Sequence, residues 1–322
     1  MGKTISESII IPKNTAMPID YQDIFYNHFE QQEYKVPPHY KKEENFLMRY
    51  KARFANYEFH ENCLTVIYFK QGNGELIKKN RRLKAKDDQF LILNPNEGWE
   101  FVNKENKYID VLSFGISCKL ASECDVYLNL ENGKLLDDPF DKTAHQTFFL
   151  EKMFSANYFS TGDLLRHIYN TSLLKDYRYM DAEELTMEVL RSISQNQMKA
   201  YALANKIKAQ KSSTKVETFK RLLSAYEYIH DNIAHAISLD ELSQVSSLSK
   251  FHLYDSFKNV YGKTPHQYIN RIKVAKAKEQ IQSGDFSIGE ISDSFGFSDL
   301  CVFTKIFKKA YGNPPSYYQK RP

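Results

Sequence analysis

The chain of 322 residues has no long apolar run. Its longest uninterrupted stretch is Ala200 to Ala204, far short of the ~20 residues that cross a bilayer. No membrane partner is expected. The opening MGKTISESIIIPKN is too weakly apolar for a secretory signal. Met1-Gly2 with Ser6 fits a myristoylation pattern, a short one that is often matched by chance. Cysteine is scarce: Cys63, Cys118, Cys124 and Cys301 form no C-x-x-C pair and no Cys/His metal spacing. Reduced thiols in a cytoplasmic protein with no metal are the expectation. No G-x-S-x-G, P-loop or H-E-x-x-H is present. The QGNGEL stretch lacks the third glycine and following helix of a dinucleotide site, so it reads as a hairpin turn. No enzyme and no cofactor are expected.

Excess charge is also small, 44 Lys+Arg against 40 Asp+Glu, a net of +4. It is unevenly spread. From Lys211 to the end there are 16 basic and 11 acidic residues, a net of +5, and residues 1–210 hold 28 and 29, a net of −1. The basic third has the balance expected beside a polyanion. Hydrophobic residues at 42% and charged residues at 26% exclude a disordered or fibrous chain. At ~150 residues per domain the length predicts two domains.

Residues 60–116 read as strands. CLTVIYF, ELI, QFLIL and YIDVLSFGI are rich in β-branched and aromatic residues. Gly72-Asn73-Gly74, Asp87-Asp88 and Asn94-Pro95-Asn96 separate them as turns. Short strands so spaced predict an antiparallel barrel or sandwich. Helical periodicity follows. Leu164, Leu165, Ile168 and Leu173 make one apolar face. A second helix is expected from Asp181, capped with Glu184, with Leu185, Val189 and Ile193 as its stripe. That stripe predicts a homodimer through 181–207, or docking on the barrel. KIKAQKSSTK, within 206–216, reads as a linker between domains 1–205 and 217–322.

The last third repeats itself. Ser238, Leu239, Glu241, Leu242, Leu248 and Ser249 match Ser287, Ile288, Glu290, Ile291, Phe297 and Ser298 at an offset of 49. Leu253, Phe257, Lys258, Tyr261, Gly262, Pro265 and Tyr268 match Phe303, Phe307, Lys308, Tyr311, Gly312, Pro315 and Tyr318 at an offset of 50. Each copy predicts a short helix with a Ser/Glu capping box, then a tight turn at Ser247 or Gly296. Ser249 or Ser298 is expected to cap a longer helix that ends on Gly262 or Gly312. This is a helix-turn-helix. Thr264 to Ser283 joins the copies as one helix carrying Arg271, Lys273, Lys276 and Lys278.

ISDSFGFSD followed by FTKIFKKAYGNPPSYY resembles the signature of the AraC/XylS family of bacterial transcription regulators, and residues 222–320 resemble its DNA-binding domain. The resemblance implies an α+β chain: an N-terminal cupin-like antiparallel β-barrel with a helical dimerisation segment, then an all-α domain of two helix-turn-helix motifs joined by a long helix. It implies double-stranded DNA as partner, with RNA polymerase and an unidentified small-molecule effector beside it. Activation is the default sign. With Leu253 and Phe257 inward, the first recognition helix exposes Lys250, Phe251, Tyr254, Asp255 and Lys258. The second exposes Leu300, Cys301, Thr304, Lys305 and Lys308. The resemblance makes these the DNA-contacting positions, with Arg271 on the joining helix. Lys305 suits guanine, Tyr254 or Thr304 base edges, and Cys301 or Phe251 a thymine methyl. Ser249 and Ser298 suit phosphates at helix N-termini. Asp255 departs from the basic residue that many members carry there. Metal-dependent cupins use two or three His and a Glu. Here His60 is the one histidine of the strand-rich stretch, and Trp99 stands near where a later one is expected. The inward positions of strands 64–69 and 89–93 are apolar, which suits an effector or a barrel filled by its own side chains. An enzyme carrying a DNA-binding tail is the remaining alternative.

Overall fold

The computed structural model describes residues 20–26, 30–32, 45–52, 56–59, 64–79, 81–95, 98–103, 107–117, 119–122, 149–173 and 182–319. Met1, Gly2, Ser6, His60, Cys63, Cys118, Cys124 and Asp181 lie outside them. Contacts divide the chain into Met1–Met198 and Lys199–Pro322.

The first unit holds two antiparallel sheets. Seven strands run in the order β11-β8-β5-β10-β3-β1-β2, namely Phe154–Ser155, Gln89–Leu93, Leu64–Gln71, Ile109–Ile116, Phe46–Ala52, Asp20–Tyr26 and Glu30–Gln32. Four run β4-β9-β6-β7: Asn56–Phe59, Trp99–Val102, Gly74–Lys78 and Arg81–Ala85. The two layers meet where Phe69 stacks on Phe101 at 6.4 Å between ring centroids. Trp99, Phe101 and Leu76 are buried from the four-stranded side, and the residues of that sheet's other face, Glu75, Ile77, Glu100 and Val102, are half-buried. The cations of Lys78 and Arg81 lie over the Trp99 ring, 5.5 and 5.3 Å from its centroid. Both cations reach Glu151.

Leu64–Phe69 of β5 is buried without alternation, because its other face is covered too. The cover is α1, Ser160–Thr171. Tyr169 Oη donates to Asp110 at 2.7 Å. Arg166 donates to both carboxylate oxygens of Asp88, and Tyr68 Oη donates to one of them. Leu165 and Ile168 face inward as expected, whereas Leu173 follows the helix end and is exposed. Helix α2, Ala182–Ala204, buries Val189 and Ile193 completely within a single chain. Its Ser192 and Asn196 bond Thr161, and its Gln197 accepts from Leu150 N. The stripe expected for dimerisation is therefore occupied by the chain itself, and its solvent face is Glu188, Arg191, Gln195 and Lys199. Among the described residues no helix is long and apolar enough to cross a membrane.

The second unit is helical. Its helices are α3 Ser212–Asp231, α4 Leu239–Ser246, α5 Lys250–Tyr261, α6 Pro265–Ser283, α7 Ile288–Ser294, α8 Leu300–Tyr311 and α9 Pro315–Tyr318. The linker expected over 206–216 is partly helical: α3 starts at Ser212, and its Phe219, Leu222 and Leu223 are buried. Both Ser/Glu capping boxes form, at Ser238/Glu241 and Ser287/Glu290. A third, Thr264/Gln267 with Pro265 behind the cap, starts α6. Ser247 takes φ +53 and Gly296 φ +63, so the tight turn of each motif has the left-handed residue it needs.

The repeat reaches further than the two motifs. At an offset of 52, the buried Leu222, Ala225 and Ile229 of α3 match Val274, Ala277 and Ile281 of α6. Each copy is thus three helices, and insertions between the blocks hide the third from a comparison at 49 or 50. Each copy also closes on an aromatic triad. Phe257, Tyr261 and Tyr268 lie 4.5–5.7 Å apart, and Phe307, Tyr311 and Tyr318 lie 5.0–6.1 Å apart. Tyr226 of α3 covers the first triad, stacking on Tyr261 at 5.5 Å. At the matching place in α6, Lys278 puts its ammonium 4.4 Å from the Tyr311 ring and 4.8 Å from that of Tyr318.

Candidate nucleic-acid interface

Helices α5 and α8 are the second helices of the two motifs. Leu253, Phe257 and Val260 fix the inner face of α5, and Phe303 and Phe307 that of α8. Their side chains at three- and four-residue spacing hold the opposite faces outward. On α5, Lys250, Phe251, Tyr254 and Lys258 are exposed, and Phe251 is 77% accessible. The ring offers apolar area on the outer face of α5. On α8, Leu300, Cys301, Lys305 and Lys308 are exposed, and Thr304 is half-buried. Arg271 of α6 is exposed.

The two helices differ in their electrostatics. Lys250 Nζ pairs with Asp240 at 2.5 Å. Asp255 is half-buried and accepts from Asn259 Nδ2 at 2.9 Å. One oxygen of Asp255 is thus engaged by a neutral donor and not by a cation. Helix α8 carries Lys309 beside Lys305 and Lys308, all exposed. Lys309 was missed because it lies one residue past the matched Phe-Lys pair.

The N-termini differ as well. Ser249 caps α5, its Oγ accepting from His252 N at 3.3 Å. Ser298 does not cap α8. Asp299 does, its Oδ1 accepting from Val302 N at 2.7 Å, and Ser298 Oγ donates to Asp299 at 3.4 Å. The residue inserted between the two matched blocks is Asp299 itself, so the cap moves one place on. The signal was present in sequence as Asp directly before an apolar helix. The consequence is chemical: the Asp299 carboxylate already accepts from one amide of α8 and places a negative charge at that N-terminus, which disfavours an anion there.

The joining helix α6 spends part of its charge internally. Lys273 is 4% exposed. Its ammonium donates to the carbonyl of His235 at 2.9 Å and to that of Phe295, and it lies over the Phe297 ring. Burial lowers its pKa from the usual lysine value. In the first copy Arg221 plays the matching part, donating to Ser247 O at 3.1 Å. Each copy therefore sends a cation from its first helix to the turn carbonyls of its helix-turn-helix, where helix-end oxygens lack partners. Of the four cations expected along α6, Lys273 and Lys278 serve packing, whereas Arg271 and Lys276 are exposed.

A family model described as a helix-turn-helix domain matches residues 242–321. The MmsAB operon regulatory protein of Pseudomonas aeruginosa is 29% identical over 96 residues, which cover 30% of this chain and 31% of that protein. The probable transcription factor PqrA of Proteus vulgaris is 33% identical over 84 residues, 26% of this chain and 69% of that one. The chain spans less than half the length of the first curated relatives it matches. Among solved structures, the C-terminal domain of the response regulator yesN from Fusobacterium nucleatum is 27% identical. That match covers 30% of this chain and 94% of that one with a TM-score of 0.29. With its doubled helix-turn-helix and a relative of 33% identity matched over two thirds of its length, this chain belongs to the AraC/XylS family of transcription regulators.

Proposed function

We propose that the protein is a sequence-specific, double-stranded DNA-binding regulator of transcription. Helices α5 and α8 enter two successive major grooves through Ser249, Lys250, Phe251, Tyr254, Asp255 and Lys258 on one side, and Leu300, Cys301, Thr304, Lys305 and Lys308 on the other. Arg271 reaches the phosphates between them. The observation that carries this is the pairing of two like motifs on one 19-residue helix. At 1.5 Å per residue α6 spans about 28 Å, close to the ~34 Å between grooves on one face of B-DNA. Removing residues 216–322 should abolish specific binding in a mobility-shift assay. Specific binding by the truncated chain overturns the proposal.

The family supports the rest of the reading: a cytoplasmic activator that meets RNA polymerase, with a cupin-like domain over 1–205, a linker over 206–216 and the DNA-binding domain over 217–322. A small-molecule effector acts through the first domain. Phe69, Leu76, Trp99 and Phe101 fill the space between the two sheets, which favours an effector site outside that space. A homodimer through 181–207 rests on the polar side of α2, since its apolar stripe is used internally.

A further inference from the structure

The Glu75 face of the four-stranded sheet carries a pocket of about 720 Å³. Four cations from two segments converge on it. Arg82, Lys84 and Lys86 alternate along the edge strand β7 and its exit, so they share one face. Lys107 comes from the loop before β10. Two carboxylates line it as well, and both are engaged within the chain. Glu75 pairs with Arg82 at 3.6 Å, and Asp87 accepts from Gly72 N at 2.9 Å. Lys84 and Lys86 form no ion pair among the described residues.

The rim is preformed. The β5–β6 hairpin is pressed on the β7–β8 turn so closely that a Cβ on Gly72 would lie 2.5 Å from the Lys86 carbonyl oxygen. Asn73 Nδ2 donates to Tyr108 O at 2.9 Å, tying the hairpin to the start of β10. Asn103 bonds the backbone of Lys107 both ways, at 2.6 and 3.3 Å, and so closes that loop. None of these bonds belongs to a sheet ladder. They hold a cationic hollow open at a size in the ~300–1,000 Å³ range of small-molecule sites.

We infer that this pocket binds a small polyanion, a metabolite with at least two phosphate or carboxylate groups. Lys84 and Lys86, which form no ion pair among the described residues, supply the charge-assisted bonds, and Arg82 adds a guanidinium that it shares with Glu75. The inference rests on the proposed effector response, to which it assigns a site and a ligand class. The competing explanation is that lysines on an edge strand only prevent sheet-to-sheet pairing. Full-length protein titrated calorimetrically with pyrophosphate and with citrate, at constant ionic strength, separates the two. At least one probe should saturate at one site per chain. Pyrophosphate alone points to phosphate, citrate alone to carboxylate, and both to either. The double variant Lys84→Glu, Lys86→Glu keeps the edge charged and monodisperse but should weaken binding at least about tenfold. Arg82→Gln should weaken it too. Saturation by neither probe, or unchanged affinity in the double variant, overturns the inference. Mobility shifts on the same samples report DNA binding independently, so a failure of the regulator reading and a failure of this pocket are told apart.

Discussion

Phe251 is the most exposed large apolar side chain among the described residues. It packs on nothing that folding requires, so Phe251→Ala should change stability by no more than about 0.5 kcal/mol. DNA affinity should fall. If the ring covers a thymine methyl, replacing that thymine with deoxyuridine costs wild type about fourfold, from ~0.8 kcal/mol per buried carbon group. The same replacement should cost the variant nothing, and an equal loss in both would place the ring elsewhere. His230 gives a pH prediction. It is held among Tyr226 and Tyr268, with Tyr268 Oη 3.1 Å from its Nε2. Burial first, and the Lys276 charge second, lower its pKa, with Asp231 opposing. The unfolded chain then binds the extra proton more readily. This stability is complete above the ordinary histidine value of ~6.5 and is lost as pH falls below it. Thermal unfolding between pH 8 and pH 5 should show the loss, and His230→Gln should flatten that part of the profile. At this scale the sequence was readable where a residue type admits one role, such as Gly262 and Gly312 ending helices. It was not readable for Lys273, because a lysine on a helix that packs on both sides looks the same whether its ammonium meets solvent or buried carbonyls.

Among the elements of the helical unit, the second turn is a close joint. Gly296 has φ +63, and a Cβ there would lie 3.1 Å from Ala236 N. Gly262 has φ +70 with open space around it. Gly262→Ala should cost the ~1–2 kcal/mol of a left-handed residue. Gly296→Ala should cost more, and urea denaturation of the pair isolates the close approach. Ser247 bears the same backbone strain without glycine's freedom, so Ser247→Gly should stabilise the domain by up to about 1 kcal/mol. Lys273→Met strands the carbonyls of His235 and Phe295 and should destabilise by about 1–3 kcal/mol, with Lys273→Arg restoring part of it. Helices were legible because caps and spacing agreed in both copies. The strands β1–β4 and β11 lie outside the stretch that reads as strands, and within it β7 and β9 carry no strand pattern, because RRLKA is a charged edge strand and WEFV has four residues. Both are held by neighbours and not by local pattern.

For the whole molecule, Val189→Asp tests what α2 does. Because Val189 is fully buried in one chain, the variant should lose folding stability by circular dichroism at every protein concentration. A folded monomer replacing a dimer would instead return the stripe to an interface. The charge footprint is also smaller than the +5 of the last third implies. Lys250, Lys273 and Lys278 are engaged within the chain, so the cations of the proposed contact set with no ion pair among the described residues are Lys258, Arg271, Lys305 and Lys308, with Lys309 beside them. Five neutralised phosphates predict a slope of roughly −4 to −5 in log affinity against log salt, and a markedly steeper slope would recruit cations from elsewhere. Two-domain organisation and the doubled motif were readable from composition and repetition. The filling between the sheets was not, since it depends on which of two strand faces meets Phe101.

The two motifs follow one another in the same order along the chain, each opening with its own supporting helix, and their outer faces carry different side chains. DNA read by such a chain has a direction. If α5 and α8 read DNA as proposed, turning the site end for end offers each helix the bases meant for the other, and offers the N-terminus of α8, where Asp299 already accepts from Val302 N, the phosphate proposed for Ser249. On that reading a single chain distinguishes the two ends of its site, before any second copy binds.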